Sequence, residues 1–486
     1  MKTASKKPPI IRLRIAGWLT GPALLAMTIL FPAPEGMSVS AWYTAGIALL
    51  LAVWWSTEVL PIPVTSLLPI LLFPALGVMS TAESTASYAA PTIFLLLGGF
   101  LIAMGLEKWN LHRRLALHLL ARTGNNPAIV LAGFMGITAL LSMWISNTAS
   151  ALMMTPIALS LTTDLAKTSA HQRFTLCLML GIAYSASIGG LATIIGTPPN
   201  LLLVAFMQQT YGFEISFLDW MLLGLPVAGV MLCLAWWVLL KWAMPFDISK
   251  VRLSQGSIVG DLKKLGKLSV PEKRLAFVFL LVATAWIVRV PVQQYFPMLS
   301  WLDDTLIAVG GAVLMFIIPA GGAAEKWAAL LDWERTRNIP WGVLLLFGAG
   351  LSLARGIEKT GLALWLGEHL AIATTLQPVL MIAGLVALVI FMTELTSNTA
   401  TTATLLPVLA ALSLAGDLTP MLLFAPAALA ASCAFMLPVA TAPNAVVYST
   451  GNVTIPQMAR AGLKLNLIGI LVITGMTYWI VPWIFG

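Results

Sequence analysis

The polar triplet Ser-Asn-Thr occurs twice in this sequence, each time in the middle of an otherwise apolar segment. The first copy is 146–148 within ITALLSMWISNTASAL (137–152), and the second is 397–399 within LVIFMTELTSNTATTA (388–403). The apolar segments around them, near 128–164 and 377–416, are too long for one membrane span and too interrupted for two ordinary spans. Polar backbone is tolerated in hydrocarbon only where protein or a cavity surrounds it. These segments therefore predict re-entrant helical hairpins with polar tips.

The composition of the whole chain indicates that lipid is its main solvent. Of the 486 residues, 59% are hydrophobic and 9% are charged, whereas a soluble domain has about 25% charged residues. A helix needs about 20 apolar residues to cross a bilayer. We predict an all-α polytopic membrane protein with about eleven transmembrane helices besides the two hairpins, and no separate soluble domain. The predicted spans lie near 15–31, 41–60, 63–79, 91–106, 174–206, 215–243, 275–297, 303–320, 340–357, 421–450 and 463–485.

The net charge of +8 is spread over short connectors between the apolar runs. This pattern is typical of cytoplasmic loops rather than of a nucleic-acid-binding surface. With a cytoplasmic N-terminus, these connectors all lie inside only if each hairpin enters and returns on one face. We therefore expect the first hairpin to open to the cytoplasm, the second to open outside, and the C-terminus to lie outside; Arg355 and Lys359 are exceptions on the outer side. The basic connector residues are Lys2, Lys6, Lys7, Arg12, Arg14, Arg113, Arg114, Arg122, Lys167, Arg173, Lys250, Arg252, Lys263, Lys264, Lys267, Lys273, Arg274, Lys326, Arg335, Arg337, Arg460 and Lys464.

The two halves of the chain resemble each other. LLLG (95–98) precedes GLEK (105–108), and LLLFG (344–348) precedes GIEK (356–359). The shift from Gly105 to Gly356 is 356 − 105 = 251, and the shift from Asn147 to Asn398 is 398 − 147 = 251 as well. GTPPN (196–200) and ATAPN (440–444) keep the same order, with a shift of 444 − 200 = 244. Because the charge distribution puts GLEK inside and GIEK outside, we predict inverted repeats, with binding sites near the membrane midplane.

A hairpin tip inside a membrane offers two kinds of binding group. The helix that ends there has free carbonyl groups, which suit a cation, and the helix that begins there has free amides and a positive dipole, which suit an anion. Ser, Asn and Thr cap such a start and add hydroxyl and amide groups. The prolines of GTPPN and ATAPN break a second helix in each half. Each half therefore offers a tip that faces a broken helix, which is enough for one cation site per half and one shared anion site.

Helix packing is the alternative explanation of a single Ser-Asn-Thr triplet, because small and polar residues also join membrane helices. Two copies at matched repeat positions favour binding instead. Glu394, three residues before Ser397, is either a proton site or a structural carboxylate paired inside its hairpin. The sequence has no Walker A loop, nucleophile elbow or zinc motif, so we predict neither ATP drive nor an enzyme. A channel is a further alternative, which the inverted repeat with its occluding hairpins argues against.

These motifs resemble those of the divalent anion/sodium symporter family, which includes bacterial INDY-type dicarboxylate transporters and mammalian dicarboxylate and citrate carriers. The resemblance rests on the twin triplets, on GTPPN, on LPVATAPNA (437–445), and on WSTE (55–58) followed by two prolines. It extends from about residue 15 to residue 486. One departure is Ala442, where many members have proline, and it predicts a looser second helix break.

The resemblance implies a homodimeric elevator transporter in the cell (inner) membrane that couples Na⁺ to C4-dicarboxylates such as succinate, malate and fumarate. A di- or tricarboxylate exchanger of the same family is the alternative. Na⁺ would be a co-transported ion, and it would supply the positive charge that the motifs lack. The implied substrate-binding residues are Ser146, Asn147, Thr148, Thr197, Ser397, Asn398, Thr399 and Thr441. The implied ligands are Ser142, Ser146, Asn147 and Gly196 for the first Na⁺, and Thr393, Thr396, Asn398 and Ala440 for the second.

The same resemblance divides the chain into a static scaffold and a moving transport domain. The expected parts are a cytoplasmic N-terminal tail at 1–14, scaffold helices at 15–127 and 275–376, a cytoplasmic linker at 244–274, and the transport domain at 128–243 and 377–486. Each half would thus contribute its hairpin and its broken span to the moving part.

Overall fold

The computed structural model describes residues 9–162, 168–245, 247–251, 253, 256–321, 328–370, 377–416 and 418–486. Within these ranges the regular structure is helical, apart from one isolated bridge between Pro319 and Ala329. The all-helical fold predicted from the sequence is therefore confirmed. Six of the basic residues used to orient the chain lie outside the described residues: Lys2, Lys6, Lys7, Lys167, Arg252 and Lys326.

The helices of the described ranges follow the apolar runs of the sequence, and α1 begins inside the segment predicted as a tail. They are α1 Pro9–Leu30, α2 Val39–Thr57, α3 Ile62–Thr65, α4 Leu68–Ala75, α5 Thr81–Ala86, α6 Pro91–Lys108, α7 Leu111–Leu120, α8 Pro127–Ser142, α9 Asn147–Thr162, α10 Ser169–Gly190, α11 Pro198–Tyr211, α12 Phe217–Trp237, α13 Gly256–Lys264, α14 Val270–Tyr295, α15 Asp304–Ile317, α16 Trp341–Thr360, α17 Leu362–Leu370, α18 Pro378–Thr393, α19 Asn398–Ala415, α20 Met421–Ala431, α21 Ala442–Ser449 and α22 Ile455–Phe485. A π-helical turn, Val238–Ala243, extends α12.

Each predicted span corresponds to one helix or to two helices separated by a break. In the described residues, eight helices are long and apolar enough to cross a membrane, and six shorter apolar helices accompany them. The predicted span near 63–79 consists of the short helices α3 and α4. The span near 174–206 consists of α10 and α11, and the span near 421–450 consists of α20 and α21. Broken spans of this kind are tolerated only where protein or a cavity surrounds the free backbone.

The two repeats run in opposite directions. The end of α6 meets the residues that precede α16, since Lys108 Nζ lies 2.6 Å from a carboxylate oxygen of Asp332. The end of α16 meets the residues that precede α6, since Lys359 Nζ lies 2.6 Å from a carboxylate oxygen of Glu83. Two helices whose ends exchange partners in this way are antiparallel, as inverted repeats require.

The hairpins start from opposite ends of the molecule for the same reason. Helix α7 follows the end of α6 directly and packs on α8, the first arm of hairpin 1. Helix α17 follows the end of α16 directly and packs on α19, the second arm of hairpin 2. We use "hairpin 1" for α8 and α9 with their connection, and "hairpin 2" for α18 and α19 with theirs. Their Ser-Asn-Thr turns meet in the interior.

The broken spans of the two halves are interlocked. Helix α10 is almost entirely buried, and it packs against both arms of hairpin 1. Beyond the break, however, α11 packs on α19 of hairpin 2 and on α20. In the same way, α21 of the second half packs on α9 and α10 of the first half. Each hairpin therefore contacts the broken helices of both halves.

The two helix breaks have nearly the same conformation. Thr197 (φ −148°, ψ 142°) precedes α11, and Thr441 (φ −140°, ψ 150°) precedes α21. The Asn200 side-chain amide donates to the carbonyl oxygens of Gly190 at 3.0 Å and Thr193 at 2.8 Å. Helix α21 begins at Ala442 just as α11 begins at Pro198. The backbone around the second break therefore matches that of the first despite the missing proline.

Candidate functional site

A cavity of about 810 Å³ lies where the two hairpin tips and the two helix breaks converge. It is lined by all eight residues that the sequence predicted as substrate-binding: Ser146, Asn147, Thr148, Thr197, Ser397, Asn398, Thr399 and Thr441. The predicted cation ligands Gly196, Thr396 and Ala440 line it too. Ser142 and Thr393, by contrast, are fully buried one layer behind the wall and contact the cavity through Asn147 and Asn398.

The first tip brings together more acceptor atoms than protons. Ser142 Oγ lies 2.6 Å from the Asn147 side-chain oxygen and 2.6 Å from the carbonyl oxygen of Ala186. A hydroxyl has a single proton, so it cannot donate fully to both. The same end of the Asn147 amide is 3.2 Å from the carbonyl oxygens of Ala186 and Gly196. With the amide oxygen at this position, four oxygen atoms converge, an arrangement that suits a cation.

The side-chain amide of Asn147 can also be rotated by half a turn, which exchanges the positions of its oxygen and nitrogen. Its nitrogen then donates to Ser142 Oγ and to the two carbonyl oxygens, which satisfies the cluster without a cation. The neighbours of Asn147 therefore favour the orientation with the amide nitrogen towards them when no cation is bound, whereas the amide oxygen would suit a cation at the same place.

The second tip repeats this arrangement at the equivalent positions. Thr393 Oγ1 lies 2.6 Å from the Asn398 side-chain oxygen and 2.8 Å from the carbonyl oxygen of Ala431. Again one hydroxyl proton faces two acceptors. Thr396, the predicted ligand beside them, shares a 2.6 Å hydrogen bond with Thr401. Each half thus has one cluster made of a buried hydroxyl, a tip asparagine and the last carbonyl groups of a helix.

The cavity also collects positive helix ends. Helices α9, α11, α19 and α21 all begin at its wall, at Asn147, Pro198, Asn398 and Ala442. Free backbone amides at such ends attract anions, and the helix dipole strengthens the attraction. Ser146 Oγ accepts one of these amides, from Ala149, at 3.1 Å. The wall therefore places carbonyl groups, which suit a cation, beside helix starts, which suit an anion.

The mouth of the cavity lies at the end of the molecule where α1 begins and α2 and α6 end. It is lined by Arg14, Glu58, Glu107, Asn338 and Pro340. Arg14 is the one cationic side chain among the described lining residues, and it faces Glu58 at 4.0 Å. Because α6 ends there and α16 begins there, the mouth is on the side that the sequence predicted as cytoplasmic.

Glu394 does not line the cavity and is instead a structural carboxylate. It is buried and accepts hydrogen bonds from the backbone amides of Phe435 at 2.7 Å, Met436 at 2.9 Å and Leu437 at 3.1 Å. The side-chain amide of Asn466 on α22 adds a fourth, at 2.8 Å. The carboxylate therefore ties hairpin 2 to the break between α20 and α21. Of the two interpretations of Glu394, its contacts support the structural one.

Several contributors to the site could not be found by inspection of motifs. The carbonyl groups of Ala186 and Ala431 belong to residues with no polar side chain, so the sequence gives no signal for them. Thr197 Oγ1 lies 3.2 Å from Ser432 Oγ and thus joins the first break to the second. Asn200 was visible within GTPPN, but its side chain points into the break rather than into the cavity.

Comparison with known proteins gives relatives that cover nearly the whole chain. Residues 14–485 match the family described as "Sodium:sulfate symporter transmembrane region". The sodium-dependent dicarboxylate transporter SdcS of Staphylococcus saprophyticus is 41% identical over 480 residues, which cover 97% of this chain and 92% of the relative. SdcS of Staphylococcus aureus strain USA300 is 41% identical over 490 residues, covering 99% and 94%. The crystal structure of the Alcanivorax borkumensis YdaH transporter shares the fold, with a TM-score of 0.55 at 15% identity over 89% of this chain and 98% of that one.

Proposed function

Because the chain belongs to the family of the sodium:sulfate symporter transmembrane region, we propose that it is a Na⁺-coupled symporter of C4-dicarboxylates such as succinate, malate and fumarate. Membership confirms the family that the twin motifs predicted, and a multi-pass membrane transporter is not an enzyme. The observation that carries the proposal is the single cavity that joins two oxygen clusters to four helix starts. The names of the two SdcS relatives support the same substrate class.

In this proposal each oxygen cluster holds one Na⁺. The first Na⁺ binds Ser142, Asn147 and the carbonyl of Gly196, with Ser146 beside them. The second binds Thr393, Asn398 and the carbonyl of Ala440, with Thr396 beside them. Neutral hydroxyl, amide and carbonyl oxygens suit a monovalent ion, whereas divalent cations are usually held by carboxylates. The buried hydroxyl, asparagine amide and backbone carbonyl groups gathered at each tip support this assignment.

The dicarboxylate lies between the two tips, with the hydroxyl groups of both triplets and the starts of the four helices around it. Two carboxylates bring two negative charges into a wall whose one cationic side chain, among the described residues, is at the mouth. The two Na⁺ ions offset this charge, so ions and substrate strengthen each other's binding. Because coupling is reciprocal, substrate must raise the affinity for Na⁺ by the same factor by which Na⁺ raises the affinity for substrate.

We also propose how the chain is oriented in the membrane and which part of it moves. The N-terminus and the cavity mouth face the cytoplasm, so this conformation is open to the inside, and the C-terminus faces outward. The hairpins with α10–α12 and α20–α22 move as one unit against the scaffold of a homodimer in the cell membrane. The interlocked packing of α11 on α19 and of α21 on α9 supports a single moving unit, because neither half can shift without the other.

The first test is uptake of labelled succinate into proteoliposomes that contain the purified full-length chain. We expect uptake to need a Na⁺ gradient and to stop when choline replaces Na⁺. Unchanged uptake in choline would contradict Na⁺ coupling. Uptake that requires preloaded unlabelled dicarboxylate would instead identify the exchanger of the same family.

A second test defines the substrate. We would measure the thermal stability of the purified chain with succinate, malate, fumarate or citrate, each with and without Na⁺. We expect stabilisation by the C4-dicarboxylates in Na⁺ only. Greater stabilisation by citrate would indicate that the substrate is a tricarboxylate, and it would not contradict Na⁺ coupling.

A further inference from the structure

A second, smaller cavity lies far from the hairpin tips, between the starts of α10 and α22 and the end of the π-helical turn. Its volume is about 370 Å³, and two arginines, Arg173 on α10 and Arg460 on α22, form its charged wall. Pro245 and Gln457 are among its other lining residues. The lining contains no carboxylate among the described residues. This cavity is therefore a small pocket of one charge sign, separate from the transport site.

The π-helical turn Val238–Ala243 shapes this pocket. Single π-turns are uncommon and often lie at functional sites. Its last residue, Ala243, lines the pocket. The Pro245 carbonyl just after it accepts from Arg173 at 2.8 Å, and the Trp242 carbonyl within it accepts from Lys464 at 2.7 Å. Both basic side chains are held in place by backbone carbonyls, and among the described residues neither forms an ion pair with a carboxylate. Within that part of the chain, no acidic group offsets their positive charge.

The pocket lies at the end of the molecule where the transport cavity opens. The short 3-10 turn Ile248–Lys250, which follows the π-helical turn in sequence, packs on α10, and the next helix, α13, packs on α7 and α9. There Asp261 pairs with Arg113 at 3.7 Å, directly after the end of α6. Because α6 ends at the cavity mouth, the pocket lies on the same side of the membrane as that mouth.

The surroundings of the pocket are those of a membrane interface. Trp237 and Trp242 are about half exposed, and their rings lie 6.3 Å apart. Lys464 Nζ lies 4.7 Å from the centre of the Trp242 ring. Tryptophan is enriched at the headgroup level of bilayers, where an apolar ring and a polar N–H can both be satisfied. This end of α12 therefore lies at headgroup depth.

One face of α22 continues from the pocket towards the membrane interior. Arg460 and Lys464 are four residues apart, and Leu467 and Leu471 follow at the helical spacing that keeps them on the same face. Leu467 and Leu471 are 49% and 75% exposed. The face thus presents two positive charges at the interface and an exposed apolar stripe beyond them. This is the charge and polarity order of a phospholipid, from headgroup to acyl chain.

We propose that this pocket binds the phosphate headgroup of an anionic phospholipid, with its acyl chains along the exposed leucine face of α22. Arginine pairs with phosphate through two parallel N–H···O bonds, and two guanidinium groups therefore suit one phosphodiester. Basic pockets between transmembrane helices are typical places for anionic headgroups. Charge complementarity favours an anionic over a zwitterionic lipid, because nothing in the described lining offsets a choline or ethanolamine group.

The test is the lipid preference of the purified full-length chain. The chain would be equilibrated in mixed micelles of phosphatidylglycerol and phosphatidylcholine, and bound lipid would be counted by native mass spectrometry. We expect wild type to prefer phosphatidylglycerol and the variant R173Q/R460Q to lose about 25-fold of that preference, from roughly fivefold per removed charge. The control K263Q/K267Q removes two charges from the exposed linker on the same side, and we expect less than about a twofold change in it.

The other possible results distinguish a specific phospholipid site from other kinds of binding. An equal loss in the control would show diffuse electrostatics and overturn the proposal, as would a wild type without preference. Displacement of phosphatidylglycerol by inorganic phosphate would show a site for soluble anions instead. If R173Q/R460Q does not fold, R173K/R460K keeps the charge but loses the two-bond geometry. We expect it to lose part of the preference, and an unchanged preference would contradict a specific phosphate site.

Discussion

The two hairpin tips differ in what holds them, although they agree in what they present to the cavity. In hairpin 1 the buried hydroxyl is Ser142 and in hairpin 2 it is Thr393, and each faces its tip asparagine at 2.6 Å. Both hydroxyls also reach the carbonyl of a buried alanine. The atoms around the two tip asparagines are therefore chemically similar, which is what two similar cation sites require.

The supports behind these atoms are not equivalent. Glu394 in hairpin 2 holds the second break through three backbone amides and Asn466. The position equivalent to Glu394 in hairpin 1 is Met143, since 394 − 251 = 143. There the backbone carbonyl of Met143 accepts from Thr193 Oγ1 at 2.5 Å. The carboxylate of Glu394 in hairpin 2 thus takes the place of a neutral hydroxyl contact in hairpin 1.

The two helix breaks also differ in how closely their backbone segments approach each other. Gly190 and Gly196 approach each other so closely that a Cβ on Gly196 would lie 2.5 Å from the Gly190 carbonyl oxygen. The equivalent residues of the second half, at a shift of 244, are Ala434 and Ala440. The atoms proposed to bind the two cations are therefore alike in the two halves, whereas the residues that pack and support the breaks differ.

The largest effect should come from removing the tip asparagines, which the two halves share. We expect N147A and N398A each to abolish succinate uptake and to lower Na⁺ affinity by about 100-fold, because even indirect partners of a metal ligand contribute about 10- to 100-fold. Uptake in proteoliposomes and Na⁺-dependent thermal stability measure this. N452A, in an exposed loop, is the matched control.

If the two halves act as two equivalent cation sites, N147A and N398A must impair transport to a similar degree. Near-normal uptake in both variants would indicate that the Ser-Asn-Thr triplets serve helix packing rather than binding. Loss in one alone would break the equivalence of the halves and leave a single site.

The second effect concerns the Glu394 carboxylate, which supports the second break and has no acidic equivalent in hairpin 1. We expect E394Q to destabilise the protein by about 1–3 kcal/mol for each donor left unpaired, because an amide cannot accept from all four donors. The equivalent M143L should cost less than about 1.5 kcal/mol, as volume-conserving changes usually do. Thermal unfolding with increasing Na⁺ measures both. A merely structural Glu394 would lower stability without altering the Na⁺ dependence, whereas a positioning role predicts weaker Na⁺ stabilisation.

The third effect tests the tighter first break. G196A should cost about 1–3 kcal/mol through overpacking against the Gly190 carbonyl and should weaken uptake. The reverse change in the second half, A440G, should cost only about 0.5–1 kcal/mol, through added backbone freedom. Equal effects of the two substitutions would show that the breaks are equally open. Uptake and thermal stability, measured on the pair, give the comparison.

The smallest effect should follow from restoring proline at position 442. Ala442 is the first residue of α21, and Pro198 occupies the same place in α11. Proline is favoured there because the first N–H of a helix has no intrahelical acceptor. We expect A442P to stabilise the protein by about 0.4–1 kcal/mol with uptake unchanged. A clear loss of uptake would mean that the second break needs an alanine.

Much of this protein could be predicted from the order of its residues. Apolar runs of span length, interrupted twice by Ser-Asn-Thr, are enough to predict two hairpins, because hydrocarbon tolerates polar backbone only in such places. The common shift of 251 and the positions of the basic residues are enough to predict inverted repeats. These inferences succeed because each depends on a local pattern that the membrane itself enforces.

The tertiary structure alone decided the rest. The carbonyl groups that complete the two clusters are set by where α10 and α20 end against the hairpins. They belong to Ala186 and Ala431, whose side chains give no sign of this role in the sequence. The partners of Glu394 lie 41 to 72 residues away in sequence. The packing of α11 on hairpin 2 and of α21 on hairpin 1 joins opposite halves of the chain. Such contacts follow from the closure of the whole fold around one cavity, and no local spacing encodes them.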